Sequence, residues 1–191
     1  MYERLEERNA DPAARKKYLE EDLASQIGAA VEADLVNQPD WKDSEKPLVA
    51  EFKVKIPGWA SSAGKRVMVP AAVFAASEKG VFEHAKRTYP IYFEYPHQKV
   101  DDITIEFPSG WQIDSLPKPQ ERDAKAALYS LKVEQAQGTV HVKRILSIDF
   151  LVLETKYYPT IRNFFQIVRT GDGEQIVVRP GETHASNEAI N

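Results

Sequence analysis

Leu19, Leu23, Ile27 and Val31 recur at every fourth position, whereas from Ala29 onward apolar residues return mostly at every second position. The first spacing places one apolar stripe on a helix, and the second buries one face of a strand. A helix is therefore predicted over residues 12–28. It opens at Asp11-Pro12, because Asp is a favoured N-cap and Pro suits a first turn whose N–H groups lack helical partners. From Ala29 to Val36 the period becomes two, and a strand is expected. Leu48, Ala50, Phe52, Val54 and Ile56 then alternate with Glu51, Lys53 and Lys55, which predicts a second strand ended by Pro57-Gly58.

Ser61 to Gly64 reads as a loop, and Arg66 to Val69 as a short strand stopped by Pro70. Residues 71–86 give no clear period. Tyr89, Ile91, Phe93 and Tyr95 alternate between Pro90 and Pro96, as in an edge or bulged strand, since proline cannot donate to a ladder. Val100 to Phe107 predicts another strand, with Ile103, Ile105 and Phe107 inward. Pro108-Ser109-Gly110 turns the chain into Trp111 and Ile113. Ala127, Tyr129, Leu131 and Val133 alternate, and a Gln137-Gly138 turn joins them to a long strand from Thr139 to about Leu153. On that strand Val140, Val142, Leu146, Ile148, Phe150 and Val152 share a face. A second helix is predicted over 159–169, followed by a Gly171-Asp172-Gly173 turn and a closing strand at 176–178.

Many short strands at spacings of about ten residues, not alternating with helices, predict a mainly β fold. The expected architecture is an antiparallel β-sandwich in the immunoglobulin or fibronectin style, with an N-terminal helix and one short C-terminal helix. The expected layout is a helical arm over 1–28, the sandwich over 29–180 with a sub-boundary at 75–87, and a flexible tail over 181–191.

Composition narrows the function. The net charge of −4, with no basic block, speaks against nucleic acid. No apolar run reaches the ~18–20 residues that span a bilayer. The chain has no cysteine, which removes disulfides, thiolate metal ligands and cysteine nucleophiles. Gly-x-Ser-x-Gly, Ser-x-x-Lys and Gly-x-Gly-x-x-Gly patterns are missing, and Ser109 reads as a turn residue. His84, His97, His141 and His184 show no metal-ligand spacing. His141 and Asp149 share a strand face but would stand roughly 26 Å apart at ~3.3 Å per residue. Asp101-Asp102 and the Asp172-Gly173-Glu174 turn are candidates to touch calcium, and both read more simply as solvated acidic turns. No catalytic residue, cofactor or metal is expected.

The aromatic residues are the remaining candidates for a surface. Trp59 and Trp111 each follow a glycine and its turn, and Tyr89, Tyr92 and Tyr95 crowd one segment. Exposed aromatics stack on sugars or bury into a protein partner. The same residues also fill strand cores.

The series Arg87-x-Tyr89-Pro90, Phe93-x-Tyr95-Pro96, Ile103-x-Ile105, Pro108-x-Gly110-Trp111 and Leu116-Pro117 forms a distinctive set. Gly138, Arg144, Tyr158-Pro159 and Arg162-x-Phe164-Phe165 continue it. Together they resemble the C-terminal domain of unknown function of large bacterial transglutaminase-like proteins, over most of residues 11–180. In that family a Cys-His-Asp triad in a separate core does the chemistry, and none of those residues carries over to this cysteine-free chain. The resemblance implies a non-catalytic accessory or interaction domain that packs on a transglutaminase-like core or presents a surface to another protein. It also implies an extracytoplasmic location. A carbohydrate- or peptide-binding module is the alternative. The expected assembly state is a monomer or weak homodimer.

Overall fold

The computed structural model describes residues 7, 9–27, 30–43, 45–75, 81–136 and 138–181. The chain divides into two compact units, Met1–Trp59 with Phe74–Glu78, and Ala60–Val73 with Lys79–Asn191. Residues 29–59, read from the sequence with the sandwich, thus group with the first helix. The expected tail falls outside the described residues except for Gly181.

In the first unit, α1 (Pro12–Ile27) is capped by Asp11, whose Oδ1 accepts the Ala13 and Ala14 N–H groups at 2.8 and 2.9 Å. The helix packs along β1 (Glu32–Leu35), which pairs antiparallel with β2 (Phe52–Lys55). Glu20 on α1 accepts the Leu35 N–H at 3.1 Å, and Lys16 reaches Asp34 at 2.7 Å. Both expected strands shorten to four paired residues. Val54, expected inward, is exposed.

The second unit is mainly β and sandwich-like. One four-stranded antiparallel sheet runs in the order β6 (His97–Glu106), β10 (Thr139–Ile148), β9 (Ala127–Ala136), β8 (Gln120–Asp123). Another has the order β3 (Ser61–Ala63), β4 (Arg66–Pro70), β12 (Gln175–Arg179), β7 (Gln112–Ser115). A two-stranded sheet joins β5 (Ile91–Tyr92) to β11 (Val152–Leu153), and α2 spans Tyr158–Asp172. The β9–β10 hairpin is the most regular part. Gly138 turns it at φ +85°, and Thr139 to Ile148 stay in unbroken register with Ala136 to Ala127.

Its buried face carries Ala127, Tyr129, Leu131 and Val133 from β9 and Val140, Val142, Leu146 and Ile148 from β10. From α2, Tyr158, Ile161, Phe164 and Val168 are buried at helical spacing. Each large side chain buried in full contributes roughly 1.5–3 kcal/mol, which makes these positions the main source of the unit's stability.

Several expectations need correction. Ser61–Ala63 is a strand, because Gly64 at φ +63° closes a hairpin onto β4; Pro70 is the last residue of β4, paired with Gln175. β8 is polar and carries no alternation, yet it pairs with the edge of β9. The strand expected from Tyr89 to Tyr95 contracts to Ile91–Tyr92, cut short by its flanking prolines. The long strand ends at Ile148: Asp149 donates its N–H to Ala126 at 2.8 Å, and the chain then leaves to pair with β5, so Val152 is 51% exposed. Finally, α2 runs through Gly171 and Asp172, which were read as a turn.

Candidate functional site

Alternation along β10 places residue 144 on the same buried face as Val142 and Leu146. The residue is an arginine, 1% exposed. Its Nε and Nη2 donate to the two carboxylate oxygens of Asp172 at 2.6 and 2.7 Å, and its Nη1 donates to Asp101 at 3.3 Å. The Tyr129 hydroxyl donates to Asp172 at 2.9 Å, and the guanidinium lies 5.9 Å from the Tyr129 ring centre. A buried cation is tolerable only with such bidentate, fully bonded partners. Burial holds the Tyr129 hydroxyl far above its ordinary range, and the charge of Asp172 adds to the effect. Burial also raises the Asp101 carboxyl above its ordinary value, against the pull of Arg144.

The two acidic sequences weighed for calcium thus each supply a carboxylate to one arginine. Asp101 and Asp172 hold a guanidinium between β6, β10 and the end of α2. The cluster fastens α2 to the sheet. Gly171 belongs to it as well, since a Cβ there would collide with the Tyr129 hydroxyl. Sequence reasoning named Arg144 only within the family-like set and gave it no role. The signal was its parity with Val140, Val142, Leu146 and Ile148.

The histidines do not converge. Among the described residues no group of three or more His, Cys, Asp or Glu forms a metal-binding cluster, and His184 lies outside them. His141 meets Asp102 across the β6–β10 pair, with Nε2 and Oδ1 2.6 Å apart. This hydrogen bond lowers the Asp102 carboxyl below its ordinary value.

The aromatic candidates separate. Trp59 and Trp111 are both half-buried and belong to different units. Tyr89, Tyr92 and Tyr95 are 76%, 72% and 51% exposed. Tyr92 stands directly opposite exposed Val152 on the β5–β11 pair, Leu151 precedes it, and Tyr157 follows within the adjoining 3₁₀ turn Thr155–Tyr157. Beneath, Phe93 donates its N–H to the Leu151 carbonyl at 2.8 Å and packs edge-on against Phe150 with ring centres 5.0 Å apart. Phe82 bridges Phe93, Tyr158 and Phe165. Ring contacts thus hold together the segments that carry the exposed tyrosines. Tyr95 also forms a wall of a recess of about 330 Å³ with Glu94, His97 and Lys99. A larger groove of about 830 Å³ near the end of α2 is polar, lined by Ser115, Gln166, Arg169, Thr170, Glu174 and Gln175 among others. Among the described residues no helix is long and apolar enough to cross a membrane.

No curated protein matches the sequence. The chain is similar to one solved structure, a "putative protease" from Parabacteroides distasonis, at 11% identity and a TM-score of 0.45. The likeness covers 50% of this chain and 19% of that one. The model of a family described as a domain of unknown function with a solved structure, DUF3858, matches residues 65–178, from the β3–β4 turn through β12 and including the arginine cluster and the tyrosine patch. The chain belongs to the DUF3858 family.

Proposed function

We propose that this chain is a non-catalytic accessory domain that docks onto a protein partner through the β5–β11 face, and that the partner is a transglutaminase-like core. One observation carries the reading. Of the eleven large hydrophobic residues exposed among the described ones, six (Tyr89, Tyr92, Tyr95, Leu151, Val152 and Tyr157) fall in two segments tied together by β5–β11 pairing. Aromatic side chains bury ~150–250 Å² each, so at these exposures the patch offers on the order of 500 Å² of apolar surface. That lies near the top of the ~300–600 Å² seen for the largest patch on a monomer, and it supplies much of the ~800 Å² per partner of a specific protein interface. Tyrosine also suits such a role, being large, amphipathic and poor in rotamers to lose. The transglutaminase-like partner is supported by the sequence resemblance alone.

The test begins with the gene, which is expected to encode a cysteine-bearing core in the same polypeptide or beside it. Calorimetric titration of that core with this chain measures binding, and Tyr92→Ser with Val152→Ser is expected to weaken it at least tenfold. The purified chain is expected to incorporate amines into glutamine peptides at background rates. The absence of such a core, or a core bound equally well by the double variant, overturns the reading.

A further inference from the structure

We infer that the open edge of β6 pairs antiparallel with β6 of a second copy of this chain, in the register that sets Val100 against Val100 and Lys99 against Asp101. β6 lies at the end of its sheet, and among the described residues no strand pairs along its outer side. Its hydrogen-bonding phase is fixed. The Phe107 N–H donates to the Gly138 carbonyl on the β10 side. Alternation in an antiparallel ladder then turns the N–H and C=O groups of Gln98, Val100, Asp102, Thr104 and Glu106 to the open edge. Such a row of unpaired groups accepts an extended strand.

The side chains decide which strand. Asp101 points inward to Arg144 and is half-buried. Burial raises its carboxyl above the ordinary value in spite of that arginine. A strand added at this edge covers Asp101 further, which disfavours an apolar residue opposite it and favours a cation. β6 carries that cation itself, since Lys99 is exposed two positions earlier on the same face. Of the two-fold antiparallel registers, only the one centred on Val100 places Lys99 against Asp101, and the symmetry makes the contact twice. It also sets exposed Val100 against its copy and the Gln98 amide against the Asp102 carboxylate. The neighbouring registers are poorer. Centring on Lys99, Asp101 or Asp102 opposes like charges, centring on Thr104 sets Asp102 against Glu106, and centring on Ile103 leaves Asp101 against Ile105. Pro96 ends the added ladder, because it lacks the N–H that its parity would turn to the edge. This edge shares no residue with the β5–β11 face.

Sedimentation equilibrium of the full chain, from micromolar to roughly millimolar concentration, is expected to show a monomer–dimer equilibrium that added salt weakens. Lys99→Glu, at an exposed position, is expected to raise the dimer dissociation constant at least about tenfold and to leave the far-ultraviolet signal unchanged. The chain has no cysteine, so Val100→Cys supplies a single thiol. Opposed Cα atoms of a hydrogen-bonded pair stand ~5.5 Å apart, within disulfide reach, and mild oxidation is expected to link this variant into a dimer. Thr104→Cys, exposed on the same face of β6, is the control. Its two thiols would stand roughly 26 Å apart at ~3.3 Å per residue and are expected to remain unlinked. A chain that stays monomeric throughout, a dimer indifferent to Lys99→Glu, or a disulfide that forms as readily at 104 as at 100 overturns the inference.

Discussion

Replacing Arg144 with methionine keeps most of the side-chain volume and deletes the charge that three partners share. Asp172, 6% exposed, would lose both of its hydrogen bonds to the guanidinium and retain only Tyr129, while Asp101 would lose its cation. Removing one member of a buried pair costs ~3–5 kcal/mol, because the remaining charge stays buried without compensation. Tyr129 still solvates one Asp172 oxygen, and the desolvation cost of the guanidinium disappears, so the lower end, about 3 kcal/mol, is expected. Against a total of ~5–15 kcal/mol for a domain, that is a large fraction. Urea unfolding at neutral pH, followed by far-ultraviolet circular dichroism, is expected to show a lower midpoint at unchanged slope. Asp172→Asn alone is expected to lose a comparable amount, and the double variant less than the sum by at least about 1.5 kcal/mol. If Arg144→Met falls within ~1 kcal/mol of the parent, as for an exposed pair, the argument fails. It also fails if the two single losses add.

Gly171→Ala is expected to cost ~1–3 kcal/mol through the clash with Tyr129, and to cost less in a Tyr129→Phe background, as thermal melts of the four proteins would show. Asp101 gives a pH prediction. Its folded pKa is raised above the ordinary 3.8, so its contribution is most favourable when it is protonated in both states and is lost as pH rises through the folded value. Asp101→Asn, which can still accept from Arg144, is therefore expected to compare better with the parent at pH 7 than at pH 3 in urea titrations; the opposite trend would show that the carboxylate is net stabilising. Asp11→Ala removes the cap of two N–H groups and is expected to cost about 1 kcal/mol, read as lost helicity in the far-ultraviolet signal.

The parts of the fold that could be read from the sequence are those whose apolar period matches a single environment. Ala127 to Val133 and Val140 to Ile148 pack one face throughout, so alternation alone predicted the β9–β10 hairpin. Asp11-Pro12 predicted the start of α1 because a cap is a local interaction. What could not be read depends on neighbours distant in sequence. Phe150 and Val152 keep the parity of β10, but pairing passes from β9 to β5 after Ile148, and periodicity does not encode a change of partner. Gln120 to Asp123 have no apolar face, yet the open edge of β9 recruits them. Gly171 looked like punctuation because its reason lies across the core, in the Tyr129 hydroxyl. Tyr89 and Tyr95 share the parity of Ile91 and Phe93, which suggested an inward face for them, yet both are exposed, as is Tyr92. Pro90 and Pro96 leave only Ile91 and Tyr92 in a ladder.

The inward turn of Asp101 also bears on how the chain avoids aggregating. β6 is ten residues long and, among the described residues, pairs along only one side, which makes it a template for adding foreign strands. A slip of one residue against β10 would swing Asp101 out to solvent and turn Asp102 or Val100 towards the guanidinium, leaving Arg144 without a carboxylate in place or with one at the wrong reach. Edge strands are commonly protected by a buried charge that only one alignment satisfies. The same arginine that fastens α2 therefore also holds β6 in a single alignment on β10, and Asp101→Val would be expected to speed amide exchange along β6 relative to the parent.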